Sequence, residues 1–217
     1  MIRTRVIMVV LLGAIIALCD SVRPASSQNA QTGASDDLAA LLPQPTRKQV
    51  CFARSYDAGH LKSHPRQRVT AVVFSMSYRH EPTDDDPDPY EFGLSLKRKT
   101  SKRTLYAAGN CRTLKPLDAD FLTKLEPEQR AALENERKAL RGGPALQCYI
   151  ECDGGEVFVE RAADAGSLLI HLDRLRMTTA CGDDEDAVEV TGGADDRVFR
   201  VDKAPPAVCR ALDRAMR

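Results

Sequence analysis

Tryptophan is absent from this chain, and aromatic residues make up only 5% of its 217 positions. With so few large apolar side chains to bury, a domain of this size is expected to lean on covalent cross-links for part of its stability. Net charge is absent too, with 31 basic and 31 acidic residues, so bulk electrostatics implies neither a polyanion nor a polycation as partner. No apolar run reaches the roughly 20 residues that span a bilayer; the longest extends from Val6 to Leu18. The chain also lacks a CxxC pair and a GxSxG elbow, which removes the commonest signatures of redox and serine-hydrolase chemistry.

The apolar run is preceded by MIRTR and followed by the small, polar stretch CDSVRPASSQNA, the order of regions in an export signal. Ala25 and Ser27 satisfy the small-residue requirement before a cut at Gln28, so residues 1–27 are expected to be a cleaved signal peptide. Lipidation at Cys19 is disfavoured by the bulky Leu18. Export places the protein in the periplasm or outside the cell, and the signal is its only expected contact with a membrane. Its removal takes away Arg3, Arg5, Arg23 and Asp20, leaving 28 basic and 30 acidic residues. Residues 28–48 are small, polar and punctuated by proline, and read as a flexible tether in which only DLAALL is able to form a helical turn. A single β-rich domain is expected over residues 49–217.

Cys51, Cys111, Cys148, Cys152, Cys181 and Cys209 remain after processing, an even number in an oxidising compartment, which favours three disulfides. In ALQCYIEC, alternation puts Leu146, Cys148, Ile150 and Cys152 on one strand face. Four residues of extended strand separate two Cα atoms by ~13 Å, whereas a disulfide needs about 4.4 to 6.8 Å. Cys148 and Cys152 therefore cannot pair with each other. This strand is expected to be a hub, with one bond to the N-terminal segment and another to the C-terminal helix.

Period-two patterns mark strands at 68–78, 90–98, 145–152, 156–161, 167–177, 187–191 and 197–202. DGG at 153–155 and GGADD at 192–196 read as hairpin turns. Asp57 is placed to cap a short helix that must end before Pro65. A surface helix is expected near 127–141, opened by Pro127 and stopped by Gly142 and Gly143. A last helix near 205–216 sets Val208, Leu212 and Met216 on one face for docking. The fold class is mainly β, with about eight antiparallel strands in a small barrel or sandwich.

Candidates for chemistry are sparse. His60 and His64 have a metal-binding helical spacing, but no glutamate follows His60, and His64 precedes Pro65, where helix is disfavoured. His171 shares a strand face with Asp173, yet Ser167 lies ~13 Å away along an extended strand, too far for a nucleophile. The apolar face switches sides between Leu172 and Leu175, which suggests a bulge near Asp173. Asp84, Asp86 and Asp88 alternate as in a calcium loop, but Pro89 and Ser95 stand where its glycine and bidentate glutamate belong. Asp183 to Asp186 form a second acidic run without such spacing. No catalytic residue, metal ligand or cofactor is assigned.

KRKTSKR concentrates Lys97, Arg98, Lys99, Lys102 and Arg103 at a hairpin tip suited to an anionic glycan or an acidic envelope protein. Without interleaved aromatics it does not suit nucleic acid.

The cysteines, CDGG after a strand and GGADDRVFRVDK before a cysteine together resemble a family of small bacterial exported proteins. That resemblance covers the chain from about Cys51 onward and implies a periplasmic setting without any assigned activity. Small exported barrels that inhibit lysozymes are similar in size and disulfide use, an analogy of architecture alone. The expected function is a non-catalytic binding or inhibitory module of the envelope. The alternatives are a hydrolase or metal-dependent enzyme using His171 or the His60 and His64 pair, and a purely structural envelope protein.

Overall fold

The computed structural model describes residues 38–114, 119–137, 140, 145–151, 153–164, 166–177 and 187–215. The strands are β1 (Gln49–Ser55), β2 (Val69–Tyr78), β3 (Tyr90–Arg98), β4 (Thr104–Leu114), β5 (Ala145–Ile150), β6 (Gly155–Arg161), β7 (Ser167–Met177), β8 (Val188–Thr191) and β9 (Val198–Lys203). They pair in the order β6-β5-β4-β3-β2-β1-β9-β7-β8, and β6 also pairs with β7. That last pairing closes eight strands into an antiparallel barrel, with β8 as an extra strand along β7. Closure leaves the barrel without free edges to aggregate.

Side chains fill the interior, as the size of an eight-stranded barrel requires. Phe52, Phe74, Leu94, Leu96, Leu146, Ile170 and Phe199 are all fully buried and point inward from alternate positions. The alternation read in β3 holds for Phe92, Leu94 and Leu96, but Gly93 and Ser95 on the opposite face are buried as well. The cause is the helix at the C-terminus, which lies outside the barrel against β1, β2 and β3.

The helices are α1 (Ala58–Ser63), α2 (Ala119–Thr123), α3 (Pro127–Arg137) and α4 (Pro206–Ala215). Asp57 caps α1 as expected, its side chain accepting a hydrogen bond from the amide of His60. None of the described side chains of α3 is buried, which matches its thin apolar stripe. The expected stop at Gly142 and Gly143 lies outside the described residues. Helix α4 docks through Cys209 and Leu212, while Val208 is 43% exposed. The expected face of Val208 and Leu212 is thus rotated, because Cys209 is bonded to Cys51 on the outer face of β1. Among the described residues no helix is long and apolar enough to cross a membrane.

Two disulfides are present among the described residues. Cys111 and Cys148 are direct partners across β4 and β5, their Cα atoms 4.0 Å apart. Cys51 joins Cys209 over 5.9 Å between Cα atoms. Cys148 does avoid Cys152, but the hub expectation is corrected: the N-terminal strand and the C-terminal helix are bonded to each other, not to β5. The strand ends draw together only after the barrel closes, which strand-by-strand reading does not reveal. Cys152 and Cys181 lie outside the described residues, as do residues 1–37 and the acidic run 183–186.

Packing begins before β1. Leu38 and Leu42, in the DLAALL turn, are 2% and 4% exposed and belong to the core cluster. The described part of the segment read as a tether is therefore anchored, because its two leucines are part of the barrel's core cluster.

The two expected hairpins part company. A tight turn joins β5 to β6, with the Gly154 amide bonded to the Glu151 carbonyl. Residues 192–197 do not form a hairpin turn, since β8 and β9 both pair with β7 and run in the same direction along it. The GGADD stretch is an excursion between them. What holds it out is Asp196, whose carboxylate accepts from the amides of Arg68 and Val69 at 2.7 and 3.3 Å.

Candidate functional site

Antiparallel wrapping brings the β1–β2 connection, the β3–β4 tip and the 192–197 excursion to one end of the barrel. The Lys99 amide donates to the Arg68 carbonyl at 2.8 Å, which ties the basic tip to the neighbouring loop. Pro65, Arg66, Gln67, Arg68, Lys99, Thr100, Gly193 and Ala194 line a hollow of about 350 Å³ between them. Lys97, Lys99, Lys102 and Arg103 are exposed and Arg98 is half-buried, as is usual for long cationic side chains around a rim.

Arg66 and Arg68, which composition alone did not single out, join this cluster. The acids nearby are turned inward. Asp196 is 3% exposed and spends both oxygens on backbone amides. Asp195 accepts from the Arg66 amide and meets its guanidinium at 3.5 Å, leaving the Arg66 side chain 73% exposed. The end of the barrel therefore presents cations outward while its carboxylates serve the loops beneath. At the opposite end, Asp86 pairs with Arg79 at 3.2 Å, which offsets part of the charge of the acidic loop.

The histidine candidates separate. His60 and His64 stack with ring centroids 4.2 Å apart. His60 Nε2 sits 2.9 Å from Gln67 Oε1, and His64 Nδ1 is 3.0 Å from the His60 carbonyl. Both rings are engaged in holding the turn before Pro65. Among the described residues no group of three histidine, cysteine or acidic side chains is arranged to hold a metal.

His171 is different. It faces outward from β7, is 8% exposed, and is held by Glu160 of β6, with Nε2 2.9 Å from Glu160 Oε1. The expected neighbour Asp173 is not its partner. Glu160 is 2% exposed and was missed in sequence because it lies one strand away, and strand register is set by the fold. Nδ1 of His171 is buried and has no hydrogen-bond partner among the described residues. The bulge suggested near Asp173 is present: Val157 pairs with Leu172 but Gly155 with Leu175, so one extra residue is inserted in β7. Gly155 accommodates it with φ +92°, where a Cβ would stand 2.6 Å from the Arg174 carbonyl. His171 borders a hollow of about 630 Å³ whose described lining contains no hydroxyl or thiol. Ser167 is occupied elsewhere, donating to Asp202 at 2.8 Å.

The fold and these sites define a disulfide-bonded antiparallel barrel with one cationic end. Comparison of the chain with known protein families, curated proteins and solved structures finds no match.

Proposed function

We propose that this protein is an exported, non-catalytic binding module whose basic barrel end captures an anionic glycan or an acidic protein surface of the bacterial envelope. The observation that carries this reading is the outward set Arg66, Arg68, Lys97, Lys99, Lys102 and Arg103 above carboxylates already committed to backbone amides and to Arg66. A cationic patch of this kind attracts polyanions at a range limited by screening, about 10 Å at 0.1 M salt. The described lining of the 350 Å³ hollow contains no aromatic side chain, which supports glycan or protein over single-stranded nucleic acid. Two disulfides are compatible with an extracellular or periplasmic setting.

The test is the triple reversal Lys97→Glu, Lys99→Glu and Lys102→Glu, with heparin as the anionic-glycan probe and envelope crosslinking as the protein probe. Retention by the wild type should fall steeply with salt and be lost in the variant. Each exposed substitution should change stability by no more than about 0.5 kcal/mol. Unchanged retention of a folded variant would sink the proposal.

A further inference from the structure

We infer that the outer wall of the barrel, beside the last turn of α4, holds a binding site for a linear polyamine. A second hollow of about 350 Å³ opens there, its lining including Gln49, Ser75, Ser77, Glu91, Glu151 and Asp213, and its volume is within the range of small-molecule sites. It lies toward the end of the barrel away from the basic tip, since Glu91 stands at the start of β3 and Lys97 and Arg98 at its finish.

Register explains why a trench exists at this place. Ser75 pairs with Gly93 and Gly93 with Ala108, so three successive strands present nothing larger than a hydroxymethyl group to the outside. Beside this floor, Gln49 pairs with Ser77 and Ser77 with Glu91. The Glu151 amide donates to the Ala108 carbonyl at 3.0 Å, which sets Glu151 at the far rim. At the near rim the Gln49 side-chain amide donates to Asp213 Oδ2 at 3.0 Å and fixes that carboxylate.

The described lining is rich in acceptors and contains no basic side chain. Ser75 is 3% exposed, yet its hydroxyl has no hydrogen-bond partner among the described residues and borders the hollow. A buried hydroxyl in that state calls for a specific reason. Glu151 and Asp213 make no ion pair with a described residue, and Glu91 has Arg79 at 3.8 Å, a cation held closer by Asp86 at 3.2 Å. Asp213 also stands in the last turn of α4, where the helix dipole favours a cation.

The kind of cation follows from the spacing. Among the described residues no three histidine, cysteine or acidic side chains are grouped to hold a metal ion. Gln49 on β1 and Glu91 on β3 are two strands apart, as are Glu91 and the end of β5 that carries Glu151, a Cα separation of ~10 Å in each case. Separate positive groups on a thin chain answer such an arrangement. In a polyamine the terminal ammonium groups donate to the Asp213 and Glu151 carboxylates, an inner ammonium donates to Glu91 and the Ser75 hydroxyl, and the methylenes lie along Gly93 and Ala108. A monoamine leaves a rim carboxylate unanswered. The site is distinct from the basic barrel end, and its failure leaves that reading untouched.

The experiment is calorimetric titration of the intact protein with spermidine, putrescine, butylamine and calcium chloride. Spermidine should bind saturably at about 1 mM or tighter, ahead of putrescine, with butylamine weaker by about 10-fold or more. Glu91→Gln with Glu151→Gln should weaken spermidine by about 10-fold; both side chains are exposed, so the variant keeps the fold. Ser75→Ala should weaken it by about threefold, a loss that a diffuse acidic surface does not produce. Asp84→Asn with Asp85→Asn, in the acidic loop outside the lining, should leave spermidine binding unchanged. Absence of saturation, calcium bound as tightly as spermidine, an affinity unmoved by the glutamate pair or by Ser75→Ala, or an equal loss in the Asp84 and Asp85 variant would overturn the inference.

Discussion

The two disulfides offer a matched pair of perturbations. All four cysteines are nearly inaccessible, with Cys51 3% exposed and Cys111, Cys148 and Cys209 at 0%, so replacing either pair by alanine removes similar packing. What differs is the length of chain each bond closes, 158 residues for Cys51–Cys209 and 37 for Cys111–Cys148. Loop-closure entropy assigns about 5 kcal/mol to the first and about 4 kcal/mol to the second, a difference of about 1.3 kcal/mol. Because packing losses are alike, the difference is more trustworthy than either value. The assay is urea denaturation at pH 7 followed by far-ultraviolet circular dichroism, since no tryptophan is available as a fluorescent probe. Cys51→Ala with Cys209→Ala should lower stability more than Cys111→Ala with Cys148→Ala, by about tenfold in the unfolding constant. The order of the two is the critical result. If loss of the β4–β5 bond costs as much or more, the bonds act through native packing and not by restricting the unfolded chain, and the reasoning fails.

The anchoring of the N-terminal turn predicts that Leu42→Ala costs about 2 to 5 kcal/mol, as for other buried leucines, seen as a melting shift of roughly 2 to 4 °C per kcal/mol. A loss below about 0.5 kcal/mol would mean the turn is dispensable. Asp202 predicts an acid limb. Partial burial pushes its carboxyl up, but the hydrogen bonds from Ser167 and Arg200 and the nearby charges of Arg200 and Arg54 outweigh this and hold it below the usual carboxylate range. A lowered folded-state value means the contribution is present above the unfolded carboxyl range and is lost as pH falls through and below about 4. Asp202→Asn should therefore flatten stability between about pH 2 and 4 relative to the wild type; equal slopes in the two proteins would show that Asp202 is not responsible.

The legible features were those written locally. Asp57 announces its helix because an N-cap acts within three residues, and the bulge at Asp173 shows as a phase change in apolar alternation between Leu172 and Leu175. Cys148 was excluded from Cys152 by strand geometry alone. The basic tip was visible because its cations are contiguous, but Arg66 and Arg68 were not seen to join it, since their approach depends on Asp196 binding the loop from 128 residues away. Likewise the partner of His171 is Glu160, eleven residues distant and on another strand. Nothing in SLLIHLDRLRM names it.

Alternation, turn chemistry and cysteine count by themselves determined a β-rich, cross-linked domain with a cationic tip, because each is a short-range property of side chains along one segment. Only the tertiary structure decided that the sheet closes through β6 and β7, that β1 and α4 are bonded through Cys51 and Cys209, and that GGADD is an excursion along β7. Those outcomes depend on strand register and closure, where many weak long-range pairings compete, and a barrel resolves that competition only as a whole.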